Sequence, residues 1–320
     1  FSVIASVLAV RAAILLCLVI QVSWQIGIRK PTFSKIKEYL NFGLPTVPGN
    51  VAAWAVASSD RYAIGYFLGA ASVGIYSAAY GLGSLIIMVA AVLGFVLPPT
   101  LSKLYDERRW NELSTYLSHS FKYLLMINIP FAVGAAVLRK PILRIFSTAE
   151  IAAKGHYVVP IVALSILFYS AYVVVAHVLV VTKRTKILGI VWMISAAVNL
   201  GLNLVVVPRL GILGAAFTTL FAYVLSFGIG TYYSFKEFKF SIDWRSIGKS
   251  ITASGAMAAV LWPMRAQTAI GTVGLVSVGV AVYAGVLLLL RGITVKEIAF
   301  FKQVLKHSIP ATTRDRDEAE

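Results

Sequence analysis

Between Tyr157 and Val181 the chain runs for 25 residues without an Asp, Glu, Lys or Arg. A stretch that long and apolar lies either in the centre of a very large soluble core or across a membrane, whose hydrocarbon layer takes about 20 residues of helix. Eight further runs of the same character decide between the two. They cover roughly 4–26, 43–68, 73–97, 119–138, 187–207, 212–234, 250–264 and 269–290, with 250–264 the shortest. Of the 320 residues, 59% are hydrophobic and 13% charged, about half the charged share of an ordinary soluble domain. Hydrocarbon offers the backbone no hydrogen-bond partner, so each spanning segment must satisfy its own N–H and C=O groups, and the helix is the form that does so. The predicted fold class is all-α and integral to the membrane, with about nine transmembrane helices.

A net charge of +16 would suit nucleic acid, but its distribution points elsewhere. Most of the 29 Lys and Arg fall at 29–37, 103–122, 183–186, 236–249 and 291–316. The alternate loops hold Arg139, Lys140, Arg144, Lys154, Arg209 and Arg265, while Arg11 and Arg61 lie within spans. Such alternation is an orientation signal: the basic loops and the C-terminus are expected on the cytoplasmic side. No nucleic-acid partner is expected. The segment 139–156 is basic although assigned to the outer side, and Ile142, Leu143, Ile145 and Phe146 predict an amphipathic helix in the outer interface, its cations reaching toward headgroups. Before the second span, Phe33, Ile36, Tyr39 and Leu40 predict a cytoplasmic interfacial helix in the same way.

Cys17 is the only cysteine, so no disulfide forms within the chain, and no metal-ligand cluster or catalytic motif is present. The chain opens inside an apolar run at Phe1, which predicts the C-terminal part of a longer protein. The turn 68–74 is short and uncharged and predicts a tight antiparallel helix hairpin, with Gly65, Gly69, Gly74, Gly81 and Gly94 as close-packing surfaces. Residues 98–120 predict a solvated helix leading into the fourth span. Asn199 and Asn203 stand four apart on one helix face, serving either as glue between helices or as lining of a polar cavity. His177 is expected to be a satisfied histidine of the bundle. Asp60 and Arg61 are the costly feature, because a charge in hydrocarbon is retained facing protein or water. If the second span ends near residue 62, the same pair sits instead at the outer headgroup level.

The segments "FGLPTVPGN", "SSDRYAIGYFLGAASVGIYSAAYGLG", "LPPTLSKLY" and, above all, "NLVVVPRLGILGAAFTTLFAY" resemble the second half of the bacterial O-antigen and exopolysaccharide flippases. These belong to the multidrug/oligosaccharidyl-lipid/polysaccharide superfamily. The resemblance covers most of residues 30–235. It implies two six-helix lobes plus two C-terminal helices: 1–28 as the last helix of the N-terminal lobe, 29–235 as the C-terminal lobe, 236–292 as the additional pair and 293–320 as a cytoplasmic tail. It departs from the family at 145–155, where "FSTAEI" replaces a frequent Phe-Gly. The implied function is not enzymatic. It is the flipping of a polyprenyl-pyrophosphate-linked oligosaccharide across the cytoplasmic (inner) membrane by alternating access.

On that resemblance Arg61 faces a central cavity and attracts the pyrophosphate, Asp60 pairs with a basic group or takes up a coupling cation, and Arg11 is a second head-group candidate. Asn199 and Asn203 complete the candidate cavity, and Tyr76, Tyr80, Tyr169 and Tyr172 are candidate sugar contacts, with ordinary packing as the alternative for these four. No cofactor is expected, and nothing resembles an ATP-binding motif, so the drive would be the membrane potential, a proton or sodium gradient, or downstream use of the product. Membrane lipids and other polysaccharide-assembly proteins are the expected partners. A peptidoglycan-precursor flippase and a drug/cation antiporter share the implied fold. A membrane polysaccharide polymerase or acyltransferase would need a larger outer loop carrying acid/base or nucleophilic groups.

Overall fold

The computed structural model describes residues 2–27, 36–44, 47–264, 266 and 268–292, and these form two compact units, Phe1–Leu44 and Pro45–Glu320. The first unit holds α1 (Ser2–Ile26) and α2 (Ile36–Gly43). The 25 residues of α1 reach roughly 37 Å at the helical rise, with Arg11 exposed near its middle. In α2, Ile36 and Leu40 stand one turn apart and both are exposed, as a helix resting on a membrane surface requires. Phe33, the tail 293–320 and Arg265 lie outside the described residues.

The second unit contains α3 (Val47–Leu68), α4 (Ala70–Gly83), α5 (Ile87–Asp106), α6 (Trp110–Val137), α7 (Arg139–Phe146), α8 (Ala149–Gly155), α9 (Val158–Val181), α10 (Thr185–Glu237), α11 (Trp244–Leu261) and α12 (Ala269–Leu289). Every regular element among the described residues is a helix. By length and composition α1, α5, α6, α9, α10 and α12 can each cross a membrane. The predicted runs fall on these helices and on α3, α4 and α11. This is a multi-pass membrane protein.

Two hairpins organise the second unit. Between α3 and α4 the turn is a single residue, Gly69, at φ 82°, a left-handed conformation that costs other residues roughly 1–2 kcal/mol. The Tyr76 hydroxyl reaches Asp60 across this hairpin. The second hairpin lies within α10, where Gly211 takes φ 60° and ψ −143° and breaks the helix into two arms. Thr218 bonds Asn203, and Ser226 bonds Ser195. Both pairs are centred on the Leu210–Gly211 junction, so the arms run antiparallel. The break between the apolar runs 187–207 and 212–234 is therefore this hinge, one glycine wide.

The core is built on α9, the most buried helix, against which α4, α5, α6 and α10 pack. The loops at one end meet: Trp110 lies 6.2 Å from Phe238, Ser118 bonds Ser241 at 3.1 Å, and Arg184 pairs with Glu237 at 3.3 Å. Three of the basic loops thus share one end of this unit. Helices α11 and α12 pack on α6, where the Tyr283 hydroxyl donates to the Met126 carbonyl at 2.6 Å.

Several local expectations change. The third predicted span is two helices, because residues 84–86 form a tight turn in which Ile87 N donates to Ser84 O at 2.9 Å and Val89 N to Ile86 O at 3.1 Å. Helix α5 then continues through Pro98 and Pro99 to Asp106, so segment 98–120 is two helix ends joined by a short turn at Arg108, φ 57°. Proline at 98 deprives the Gly94 carbonyl of its helical donor. His177 on α9 bonds the Val173 carbonyl at 2.6 Å and lies near the Gly94 carbonyl. The single amphipathic outer helix becomes two short ones, α7 and α8, separated by Ser147 in extended conformation and by the cap Thr148. Gly74 and Gly81 face open space rather than a neighbouring helix. The close approaches are at Gly49, where a Cβ would stand 2.8 Å from Gly189 Cα, and at Gly83, where it would stand 2.8 Å from the Val159 carbonyl oxygen.

Candidate functional site

Helix α3 carries two polar clusters on neighbouring residues, Ser59 and Asp60, which point to opposite flanks because successive helical residues diverge by about 100°. The Ser59 cluster is neutral. Its hydroxyl donates to Asn199 Oδ1 at 2.7 Å, Asn203 Nδ2 donates to Ser59 Oγ and to Asn199 Oδ1 at 3.2 Å each, and Thr218 donates to Asn203 Oδ1 at 2.5 Å. Asn199 and Asn203 are almost wholly buried. The cluster ties α3 to both arms of α10. Asn199 Nδ2 is the one polar side-chain atom in it without a partner.

The Asp60 cluster is charged. The carboxylate is fully buried; Oδ2 accepts from the Tyr76 hydroxyl at 2.5 Å and Oδ1 accepts from the Arg61 backbone N–H at 2.7 Å. Arg61 is partly exposed, with 32% of its side chain accessible. Its Nη1 donates to the Ala57 carbonyl at 2.8 Å and lies 3.4 Å from Asp60 Oδ1. The guanidinium carbon stands 4.5 Å from the centre of the Tyr80 ring, within cation–π range. Nε and Nη2 have no protein acceptor among the described residues. A planar cation is thereby fixed on one edge and open on the other, the geometry in which guanidinium forks an oxyanion.

Behind Arg61 the aromatic residues assemble from three helices. Tyr76 and Tyr80 stand 5.7 Å apart on α4; Tyr169 on α9 lies 5.2 Å from Tyr223 and 6.0 Å from Trp192; Tyr172 lies 5.2 Å from Trp192. The Tyr223 hydroxyl faces that of Tyr80. All four tyrosines singled out in the sequence therefore belong to one cluster with Asp60 and Arg61. Tyr76, Tyr80 and Tyr172 are buried in it, and only Tyr169 keeps part of its surface. Trp192 and Tyr223 were missed. The available signal was a tryptophan in the middle of a span, and a tyrosine one turn beyond Thr219. Arg11 belongs to the other compact unit, on α1.

A groove of about 560 Å³ opens on the other flank of α3, lined by Trp54, Ser59, Tyr62, Tyr66, Leu200 and Asn203 among others. Among the described residues no group of three His, Cys, Asp or Glu side chains is arranged to hold a metal.

Comparison with known proteins finds likeness to flippases. A family model described as "Polysaccharide biosynthesis protein" matches residues 1–152. The "Probable low-salt glycan biosynthesis flippase Agl15" of Haloferax volcanii is 23% identical over 277 residues, 84% of this chain and 58% of that protein. The "Probable flippase AglR" of the same organism is 27% identical over 221 residues, 66% of this chain and 45% of that protein. The chain thus spans about half the length of the curated relatives it matches. Among solved structures, the lipid II flippase MurJ in an inward closed conformation superposes with a TM-score of 0.65 at 21% identity, covering 82% of this chain and 56% of that one. The archaeal relatives extend a likeness first seen to bacterial sequences, and the MurJ match shows the fold. The family model, which covers a little under half of the chain, the two flippase relatives and the shared fold all support likeness to polysaccharide flippases.

Proposed function

We propose that this chain forms the C-terminal part of a transporter that flips a lipid-linked oligosaccharide across the cytoplasmic membrane, with its basic loops and C-terminus on the cytoplasmic side. Residues 1–28 would close an N-terminal lobe, 29–235 form the second lobe, and 236–292 add two helices on its flank. The head group crosses between lobes by alternating access while the polyprenyl tail stays in lipid. Transport of this kind forms and breaks no covalent bond.

The observation that carries the reading is Arg61, a cation on a helix of a membrane protein, held on one edge by Ala57 O, Asp60 and Tyr80 and open on the other. An uncompensated cation in hydrocarbon is expensive, and a pyrophosphate supplies the missing acceptors. Asp60 holds the guanidinium in place, and it is also the candidate group for a coupling proton or sodium ion. Arg11, on α1, is a second candidate for the anionic head group. Tyr169, which keeps some exposed surface, is the first sugar contact; Tyr76, Tyr80 and Tyr172 join it only if the aromatic cluster opens during the cycle. Asn199 and Asn203 act on the cavity through α3, whose position they fix. The flippase relatives support lipid-linked glycan as the substrate over a drug or cation.

The test is a single cysteine placed at 57, one turn before Arg61, in the full-length protein, with Cys17 replaced, and labelled in membranes with a water-soluble thiol reagent. Protection by polyprenyl-pyrophosphate-linked oligosaccharide, and loss of surface glycan in Arg61→Ala, are the expected results. Free labelling from outside with normal surface glycan would move Arg61 to the headgroup boundary and end its role as the site.

A further inference from the structure

The two arms of α10 do not close on each other along their whole length. Toward the end where Arg184 pairs with Glu237, they leave a groove of about 530 Å³, walled by Ile187, Ile190 and Ile194 on one arm and by Gly228, Tyr232 and Tyr233 on the other. Ile190, Ile194, Tyr232 and Tyr233 are exposed, so the groove opens on the outer surface of this unit. A Cβ built on Gly228 meets nothing within 4 Å, which makes the glycine part of an open floor and not a packing contact.

The charges at the mouth follow from helical register. Lys186 lies four residues before Ile190 and Lys236 four residues after Tyr232, so each sits on the groove-lining stripe of its own arm, one turn nearer the basic end. Both are exposed. Lys183, Arg184 and Lys239 add to the same end, against Glu237 as the acid paired there. An apolar slot headed by cations and flanked by two tyrosines matches an acyl chain with an anionic head. Basic pockets between membrane helices on the cytoplasmic side recognise acidic lipids by this combination.

We infer that the cleft between the α10 arms binds one anionic phospholipid, its acyl chain along Ile187, Ile190 and Ile194 and its phosphate between Lys186 and Lys236. The site is separate from Arg61 and does not depend on the transport reading. A lipid seated there would brace the two arms that the Ser59–Asn203–Thr218 cluster joins near the other end.

The experiment uses the full-length protein in phosphatidylethanolamine vesicles containing a minor fraction of a photoactivatable phosphatidylglycerol, with a photoactivatable phosphatidylcholine as the comparison. Cross-linked peptides are mapped by mass spectrometry. Phosphatidylglycerol is expected to label residues 187–194 and 228–233 well above phosphatidylcholine. Gly228→Phe fills the floor and is expected to abolish that labelling. Lys186→Gln and Lys236→Gln, surface changes that leave the fold alone, are each expected to weaken it about five-fold. Equal labelling by both lipids, labelling unchanged in the double lysine variant, or displacement by polyprenyl pyrophosphate but not by phosphatidylglycerol would each overturn the assignment.

Discussion

The α3–α4 hairpin and the α10 hairpin are built alike and end differently. Each turns on one glycine with positive φ, Gly69 or Gly211, and each presents polar side chains to α3. In the α10 hairpin the polar groups are neutral and answer one another: Ser59, Asn199, Asn203 and Thr218 form a nearly closed set with one unpartnered donor, Asn199 Nδ2. In the α3–α4 hairpin the groups are charged and the set is left open, because Arg61 is anchored by Nη1 while Nε and Nη2 reach no protein acceptor among the described residues. A closed buried network rigidifies. An open one at a partly exposed cation leaves donors free for a ligand, the role proposed above for Arg61.

The largest effect should come from breaking the closed set. In Asn203→Leu the bonds to Ser59 Oγ, Asn199 Oδ1 and Thr218 Oγ1 are lost, while Ser59 keeps Asn199 and Thr218 keeps the Ala215 carbonyl; at about 0.5–1.5 kcal/mol for each bond, the protein is expected to lose about 2–4 kcal/mol and to fall in thermal unfolding midpoint and membrane abundance. Arg61→Ala should do the reverse: transport falls about 10- to 100-fold, as for loss of a charged hydrogen bond, while the folded fraction in detergent stays near that of the parent protein. Arg61→Lys, a point charge without the fork, should recover only part of the rate. Gly211→Ala strains a left-handed turn and should destabilise by about 1–2 kcal/mol, read as a lower unfolding midpoint with transport per folded molecule retained. Smallest is Gly74→Ala, where the open space around the Cβ leaves only the gain in helix propensity, about 0.5–1 kcal/mol of stabilisation. Gly83→Ala, against the Val159 carbonyl, should show the opposite sign.

The sequence was most informative where periodicity and charge alone matter. Apolar run length located the helices, and the Pro208-Arg209-x-Gly211 signal located the α10 hinge, because a glycine with positive φ leaves a local mark. The break at 84–86 left a weaker one: Gly81, Gly83 and Ser84 lie there without proline, while Pro98 and Pro99 suggested an end that α5 passes through. That outcome depends on the packing of α5 against α9, helices far apart in sequence. For the same reason Tyr76, Tyr80, Tyr169 and Tyr172 could be named individually but not as a cluster, and Trp192 and Tyr223 complete it only once the α10 arms fold back. The roles of Ser59 and Asp60 on opposite flanks of α3 likewise require knowing which helix lies on which side.

The central claim is that Arg61 serves the cargo and Asn203 serves the fold. Its most direct test measures two quantities on one preparation: the unfolding midpoint of full-length Arg61→Ala in proteoliposomes, and its rate of flipping a fluorescent polyprenyl-pyrophosphate-linked oligosaccharide. The account predicts an unchanged midpoint with flipping reduced at least ten-fold, as for loss of a charged hydrogen bond. A lowered midpoint with normal flipping per folded molecule would contradict it.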